Sequence, residues 1–537
     1  MRIALITESS HSYASRADGW CGRLAEGLAE HEFRLYVLGE GSGAGSGRLP
    51  VRELPIWGRR PRGRGPALHR RRSYAQAYRA LVRSLVIPGE KGSFGPALHR
   101  LAALGREDGA LPAFLASGPA QRVLEQVWRS PGAETAAGQP QVQDVLVAAD
   151  LLEQCLRPLS APWYGTGEDG LGGADLCHVV GGGPAALPAL VAKQLHGVPF
   201  VVTEHGLHLR EQYRSWRTAP YRWPVRALLI AFFRQLTEET YRQAAVLTPG
   251  SDYDRRWQER CGADPARVRV VHEGTPAVAR PAAGPEPERP VLVWAGALEP
   301  GRDPALVLHA FARVRAELPG ARLRLYGEEG APGYLEHLRG IAEKLGVGAA
   351  VSFEGRPAGG AAEAWEAGQV VVFSALAQRS PRLLADAMLS GRAVVSTEVG
   401  VAREVVGPTG LLVPPRDPAA LAAACLALLG DEERRARLGL AGRLRAQERF
   451  AVEPVVTAFR EVYLELVSRF PAYPVAEAEE KAGRTARGGA RGVRAEVRPF
   501  ARPAEYWVAG PVGAEDVAGA GAGAAAAVEA EPLKEAV

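Results

Sequence analysis

The segment Ser374–Gly391, SALAQRSPRLLADAMLSG, combines residue types that could hold a ligand. It reads as the end of a strand, a tight loop and a helix. Ser380-Pro381 supplies a cap and a preset first turn, Asp386 falls inside the helix, and Gly391 stops it. Where a strand's C-terminal end feeds a helix N-terminus, free backbone N–H groups can meet a phosphate or a sugar hydroxyl. An ordinary strand-to-helix turn looks the same, so the segment alone does not decide. AVVST forms the next strand, followed by EVGVAREVV and GLLVPPRDP.

Other constellations are weaker. His205, just after the strand Pro199–Thr203, would in a generic protein be a structural histidine. Asp252-Tyr253-Asp254 is a DxD triplet, which binds metal in a different transferase fold. Here it follows Thr248-Pro249-Gly250 at a helix start, where Asp is a good cap, so no metal is expected. Gly181-Gly182-Gly183 could admit a ligand close to the backbone or serve as a plain turn. Cys21, Cys155, Cys177, Cys261 and Cys425 form no CxxC or Cys/His spacing, so reduced thiols and no zinc site are expected. No GxSxG, Walker loop or HExxH appears.

The elements that must position these groups alternate between strand and helix. Arg2–Thr7 is a buried strand, a helix spans about Trp20 to Glu30, and Phe33–Leu38 is a second strand, the opening of a parallel α/β unit. The alternation returns with strands Leu176–Val180, Pro199–Thr203, Ala245–Thr248 and Val268–His272, and helices Ala185–His196 and Pro224–Ala244. Pro276–Pro290, PAVARPAAGPEPERP, breaks it and reads as a linker. A second series follows, from Val291–Trp294 through Pro304–Leu318 to Gly410–Val413.

The domain reading is therefore 1–275, linker 276–290, and 291–470, with an Arg-rich insert at about 54–165. A disordered Ala/Gly/Arg-rich tail is expected over 475–537. Leu54 to Gly89 holds nine arginines and no acid. It is read either as a solvated loop and helix face or as a docking site for anionic lipid or an acidic partner. No nucleic-acid module accompanies it.

The 537 residues suit two domains plus extras, at ~150 residues each. With 47% hydrophobic and 23% charged residues, a wholly disordered or fibrous chain is excluded. The net charge of +5 does not suggest a DNA binder. Arg outnumbers Lys 60 to 5 beside abundant Ala, Gly and Pro, the composition of a GC-rich bacterial genome. The N-terminal apolar run is too short for a signal peptide, and no stretch approaches the ~20 residues of a spanning helix. The expectation is a cytoplasmic protein, peripheral at most to the inner membrane face.

Ser374–Asp417 resembles the retaining family-4 glycosyltransferases of the two-domain GT-B fold. That family writes E-G-x-P-x-x-x-x-E-A-M-A-x-G-x-P-V-V-A-T-x-x-G-G-x-x-E, then G-x-L-V-P-P-x-D. The match runs through Pro381, Ala387-Met388, Gly391, Val394-Val395, Thr397, Gly400, Glu404, Gly410, Leu412–Pro415 and Asp417. Thr7-Glu8, Arg16 and Trp20, with GVPFVVTEHGLHLRE at Gly197–Glu211, resemble the subfamily of bacterial pellicle-type exopolysaccharide synthesis.

The resemblance implies an α/β GT-B fold, two Rossmann-like domains facing across a cleft. It implies transfer of a sugar from a nucleotide diphosphate donor, UDP-linked, to a hydroxyl acceptor, with no cofactor and no metal. Asp386 falls at the position that holds the ribose, Gln378 at the one that contacts the donor sugar, and Arg302 and Ala297 at those of the diphosphate cations. His205 would stand near the reaction centre. Ser380, Gly400 and Glu404 complete the donor-binding set, and Arg16 and Gly19 belong to the acceptor-side loop. The partners implied are a nucleotide-sugar and a glycan acceptor, with an anionic membrane surface or a polysaccharide synthase for the 54–89 segment. Gln378, Asp386, Ala297, Ala17-Asp18 and Val401 depart from the family pattern. They keep open a second reading, a catalytically weak or silent relative serving an envelope-polysaccharide apparatus. A dinucleotide-dependent oxidoreductase, the third, lacks a GxGxxG turn.

Overall fold

The computed structural model describes residues 1–8, 14–39, 49–56, 63–133, 138–275, 282–357, 360–378 and 380–469. The first part of the expected linker, the expected tail and part of the Arg-rich run lie outside these residues.

The first unit is built on β1 (Arg2–Glu8), β2 (Glu32–Gly39), β3 (Val51–Pro55), β4 (Leu176–Val180), β5 (Phe200–Glu204) and β6 (Val246–Pro249). They form one parallel sheet in the order β3-β2-β1-β4-β5-β6. The second unit uses β7 (Val291–Ala295), β8 (Arg322–Tyr326), β9 (Val351–Gly355), β10 (Val370–Phe373), β11 (Ala393–Thr397) and β12 (Leu411–Val413). Their order is β12-β11-β10-β7-β8-β9. Each sheet therefore reverses its strand order once, between β1 and β4 and between β7 and β10. Ligand crevices of open α/β sheets form outside the strands' carboxyl ends at such reversals. β4, β5, β7 and β11 are buried end to end, which is why they read as unbroken apolar runs.

α1 (Ala14–Gly27) begins six residues before the Trp20 expected from sequence. The larger correction lies between β3 and β4. The Arg-rich insert folds as α2 (Leu68–Val86), α3 (Phe94–Asp108), α4 (Leu111–Leu115), α5 (Gly118–Trp128) and α6 (Val142–Leu156). Tyr74, Ala77, Tyr78, Leu81, Val82 and Leu85 fall at helical spacing and bury one face of α2 in the core of the first unit. Two of its arginines are neutralised inside the chain, Arg70 by Glu107 and Arg83 by Glu90, and Arg79 donates to Gln126 at 2.9 Å. Arg157 and Glu153, both buried, pair at 2.8 Å, and Arg157 also donates to the Ile56 carbonyl at 3.1 Å.

α7 (Ala186–His196), α8 (His208–Thr218), α9 (Trp223–Gln243) and α10 (Asp252–Arg260) complete the first unit. The expected strand Val268–His272 is not a strand. It follows the edge of four-residue β6 through Arg269 N–H to Leu247 O (2.9 Å) and Val271 N–H to Pro249 O (3.0 Å), with one bridge at Val268. The second unit carries α11 (Pro304–Glu317), α12 (Tyr334–Lys344), α13 (Ala361–Glu366), α14 (Arg382–Leu389), α15 (Ala402–Val406), α16 (Pro418–Leu429) and α17 (Glu432–Phe450). α18 (Val452–Arg469) crosses back: Phe459, Val462, Tyr463 and Leu466 pack with Ile3, Leu5 and Trp20. By packing, the second unit thus ends near Phe450 rather than at 470. Among the described residues no helix is long and apolar enough to cross a membrane.

Candidate active site between the two sheets

His205 is set by its own strand end. β5 closes on Glu204, which is 1% exposed and accepts from Tyr241 Oη (2.5 Å), Gln258 Nε2 (2.7 Å) and the His208 N–H (3.1 Å). Burial raises the Glu204 carboxyl pKa, and the three donors oppose that rise. Gly206 then turns the chain at φ 114. His205 lies edge-on to Trp20, ring centroids 4.9 Å apart, and so close to Gly250 that a Cβ there would be 3.1 Å from its Cδ2. Burial lowers its pKa, with Glu273 opposing, which favours the neutral imidazole, a group that can both donate and accept a hydrogen bond.

Facing it are the loops at the ends of β7 and β10. Ser374 Oγ donates to the Arg302 carbonyl (2.8 Å) and accepts from Trp294 Nε1 (3.0 Å), while Leu376 N–H donates to Gly301 O (3.1 Å). These bonds hold Arg302 against the 374–380 loop. Arg302 Nη1 donates to Gln378 Oε1 at 3.2 Å, and Gln378 Nε2 to the Ser380 carbonyl at 2.9 Å. Ser380 Oγ donates to Glu273 Oε2 at 2.8 Å and accepts the Arg382 N–H at 3.2 Å. A hydrogen-bonded chain thus runs from Arg302 through Gln378 and Ser380 to Glu273 of the first unit. Gly400 seats it: at φ 56, its missing Cβ would stand 1.9 Å from the Gln378 carbonyl, which accepts the Val401 N–H at 3.0 Å.

The other candidates are placed differently. Pro381, not Ser380, sits at the cap position of α14, and Ser380, one residue earlier, accepts the Arg382 N–H. Asp386, 7% exposed, accepts Trp365 Nε1 at 3.1 Å behind the cleft. One turn earlier, Leu383 lines a cavity of about 530 Å³ with Ala295, Gly296, Ala297, Tyr326 and Gly327, at the ends of β7 and β8. Such a volume suits a small ligand. Glu404 reaches across the cleft: it accepts the Asp252 N–H at 2.8 Å and lies 3.8 Å from His272. The Arg16 side chain falls outside the described residues. Gly19 is exposed on α1, where an added Cβ would be 3.5 Å from Arg23 Nη1.

Sequence reasoning missed two charged groups here. Glu273, 6% exposed, also takes the Trp20 indole N–H on its backbone carbonyl at 2.8 Å. Arg23 is half-buried, and its Nη2 has no hydrogen-bond partner among the described residues. Burial and Arg382 across the cleft depress its pKa, with Glu273 opposing. Neither residue sits in a periodic pattern or motif, so nothing in the sequence marked them. The DxD triplet is structural. Ser251, not Asp252, caps α10 and accepts the Asp254 N–H at 3.0 Å, and burial pushes the Asp254 carboxyl up to about 7. Among the described residues no group of three or more His, Cys, Asp or Glu could hold a metal ion.

The first unit has its own crevice at the β1/β4 reversal, a cavity of about 830 Å³ lined by Glu8, Gly181, Gly182, His208, Glu211 and Arg214. The triple glycine serves close packing. A Cβ on Gly182 would be 2.8 Å from Glu204 Oε1, and one on Gly183 would be 2.1 Å from the His208 ring. Burial lowers His208 to about 4 and raises Glu8 to about 7. The raised Glu8 carboxyl favours the fold at acid pH. That contribution declines as pH rises from about 4.5 toward 7 and is gone above it. Glu8→Gln is therefore expected to stabilise the protein at pH 8, by up to about 3 kcal/mol, and to change little at pH 4. Urea unfolding at the two pH values checks this.

Residues 1–266 match a family described as a domain of unknown function (DUF3492), and residues 289–431 match Glycosyl transferases group 1. An exopolysaccharide phosphotransferase of Streptomyces coelicolor is 29% identical over 243 residues, 44% of this chain and 25% of that protein. A D-inositol 3-phosphate glycosyltransferase of Thermobispora bispora is 28% identical over 297 residues, 52% of this chain and 68% of that protein. The chain thus spans a quarter of the first relative's length and about two thirds of the second's. Among solved structures, Anabaena HepE in complex with UDP aligns at TM-score 0.55 and 15% identity, covering 86% of this chain and 99% of that one. A glycosyltransferase from Rickettsia africae aligns at 0.53 and 10%, covering 87% and 98%. The fold is GT-B, and residues 289–431 of its second unit are similar to the glycosyl transferases group 1 family.

Proposed function

We propose that the protein is a retaining glycosyltransferase that moves a sugar from a UDP-linked donor to a hydroxyl acceptor in exopolysaccharide or other cell-envelope glycan synthesis. The observation that carries the reading is the bonded chain Arg302–Gln378–Ser380–Glu273, which joins the two units beside His205. The nucleoside would enter the 530 Å³ cavity and the acceptor the 830 Å³ cavity. Between them, Arg302 and Arg23 would meet the diphosphate, whose charge grows as the glycosidic bond breaks. Among the described residues no enzyme nucleophile is evident. Attack on the face the diphosphate leaves would give retention, and closure of the units would keep water from the donor. Neutral His205 would hydrogen-bond donor or acceptor near the reacting carbon. The group 1 match and the UDP complex of HepE support this donor chemistry.

Calorimetric titration with UDP and GDP tests the reading, followed by release of UDP from UDP-sugars in the presence of glycan acceptors. Binding of one nucleotide with EDTA present, and turnover unchanged by it, is the expected result. Binding of neither by the folded protein rejects the reading. Ala297 on the cavity wall and uncharged Gln378 favour a second one, a silent relative that binds nucleotide without turnover. Persistent UDP binding with no release, even in Gln378→Glu, would select it.

A further inference from the structure

A sugar that loses its leaving group presents several hydroxyls and a growing positive charge, and a carboxylate serves both. Gln378 offers no charge, and its amide is held in place, Oε1 accepting from Arg302 and Nε2 donating to the Ser380 carbonyl. Glu404 is engaged with the start of α10. Glu273 is differently situated. It comes from the segment just ahead of the inter-unit crossing, with Gly274 next to it at φ 79. It reaches the 380 loop and acts electrostatically on both His205 and Arg23. Its carboxylate accepts from Ser380 Oγ on Oε2. An ionised carboxylate can accept about four such bonds, so lone pairs remain for sugar hydroxyls.

We infer that Glu273 contacts the donor sugar, supplying from the first unit the carboxylate that the second unit lacks at Gln378. The inference rests on the donor reading above. Sugar recognition then depends on the units being closed, because the 273 carboxylate and the 302–378–380 loop come from opposite sides of the cleft. A plainer role for Glu273 is a latch that ties the units through Ser380. A latch would affect every nucleotide ligand alike, whereas a sugar contact affects only the sugar.

The test is calorimetry of the full chain with UDP, GDP, UDP-glucose, UDP-N-acetylglucosamine and GDP-mannose. Wild type is expected to bind a nucleotide-sugar about tenfold or more tighter than the bare nucleotide, the range of a charge-assisted bond. Glu273→Gln, nearly isosteric, is expected to lose that preference while nucleotide affinity stays within about twofold. Glu273→Asp is expected to keep part of it, and the double variant Glu273→Gln/Gln378→Glu to regain part. Three results overturn the inference: an unaltered preference in Glu273→Gln, a parallel loss of nucleotide and nucleotide-sugar, or no preference in wild type. Failure of wild type to bind any nucleotide instead refutes the donor reading beneath it.

Discussion

Gly400→Ala is expected to lower the melting temperature by several degrees and nucleotide-sugar turnover about a hundredfold. A left-handed alanine costs roughly 1–2 kcal/mol, but the larger effect is steric. The new Cβ would stand 1.9 Å from the Gln378 carbonyl, a backbone atom that cannot swing aside. Moving it breaks the Val401 N–H bond, worth about 1 kcal/mol, and shifts Gln378 under Arg302. A displacement of about 1 Å in positioning groups can cost 10²-fold in rate. Scanning calorimetry and a UDP-release assay on the purified variant measure both effects. Wild-type melting and turnover would show that the 378 and 400 loops are not coupled.

Arg302→Ala is expected to weaken UDP binding about 10–100-fold, the range of a lost charge-assisted contact, and turnover at least as much. The guanidinium is held by Gln378 and lies 3.8 Å from Glu299, so it is aimed rather than free to wander. Arg302→Lys keeps the charge without the planar fork and should recover only part of the loss. Titration with UDP at fixed ionic strength decides: unchanged affinity in the alanine variant would remove Arg302 from the donor site.

Much of this architecture was readable because parallel strands buried on both faces write unbroken apolar runs, as β4, β5, β7 and β11 do. The helical insert was not read, because the arginines of α2 drew attention from the buried stripe Tyr74 to Leu85 on its other face. β3 was missed since five residues with a charged, exposed edge leave little pattern. Within the site, Gln378, Ser380 and Gly400 were legible in one segment and Arg302 in another, and hydrogen bonds and close packing bring the four together. Glu404 and Asp386 belong to the same motif, yet hydrogen bonds to Asp252 and Trp365 engage them elsewhere. Those partners are separated by 152 and 21 residues, beyond any local spacing rule. Glu273 and Arg23 acquire meaning only when the two units face one another.

The return of α18 to the first sheet has a bearing on how the chain is made. Ile3, Leu5, Trp20 and Val37 are covered by Phe459, Tyr463 and Leu466, and buried His178 gives its ring to Tyr463 at 2.5 Å. A ribosome delivers the whole second unit before it delivers this cover. At ~5–20 residues per second, the first sheet waits roughly ten to forty seconds with one apolar face open. The nascent first unit is then a natural client for a chaperone, and stalled or truncated chains ending before α18 should be recovered as aggregates or as chaperone complexes.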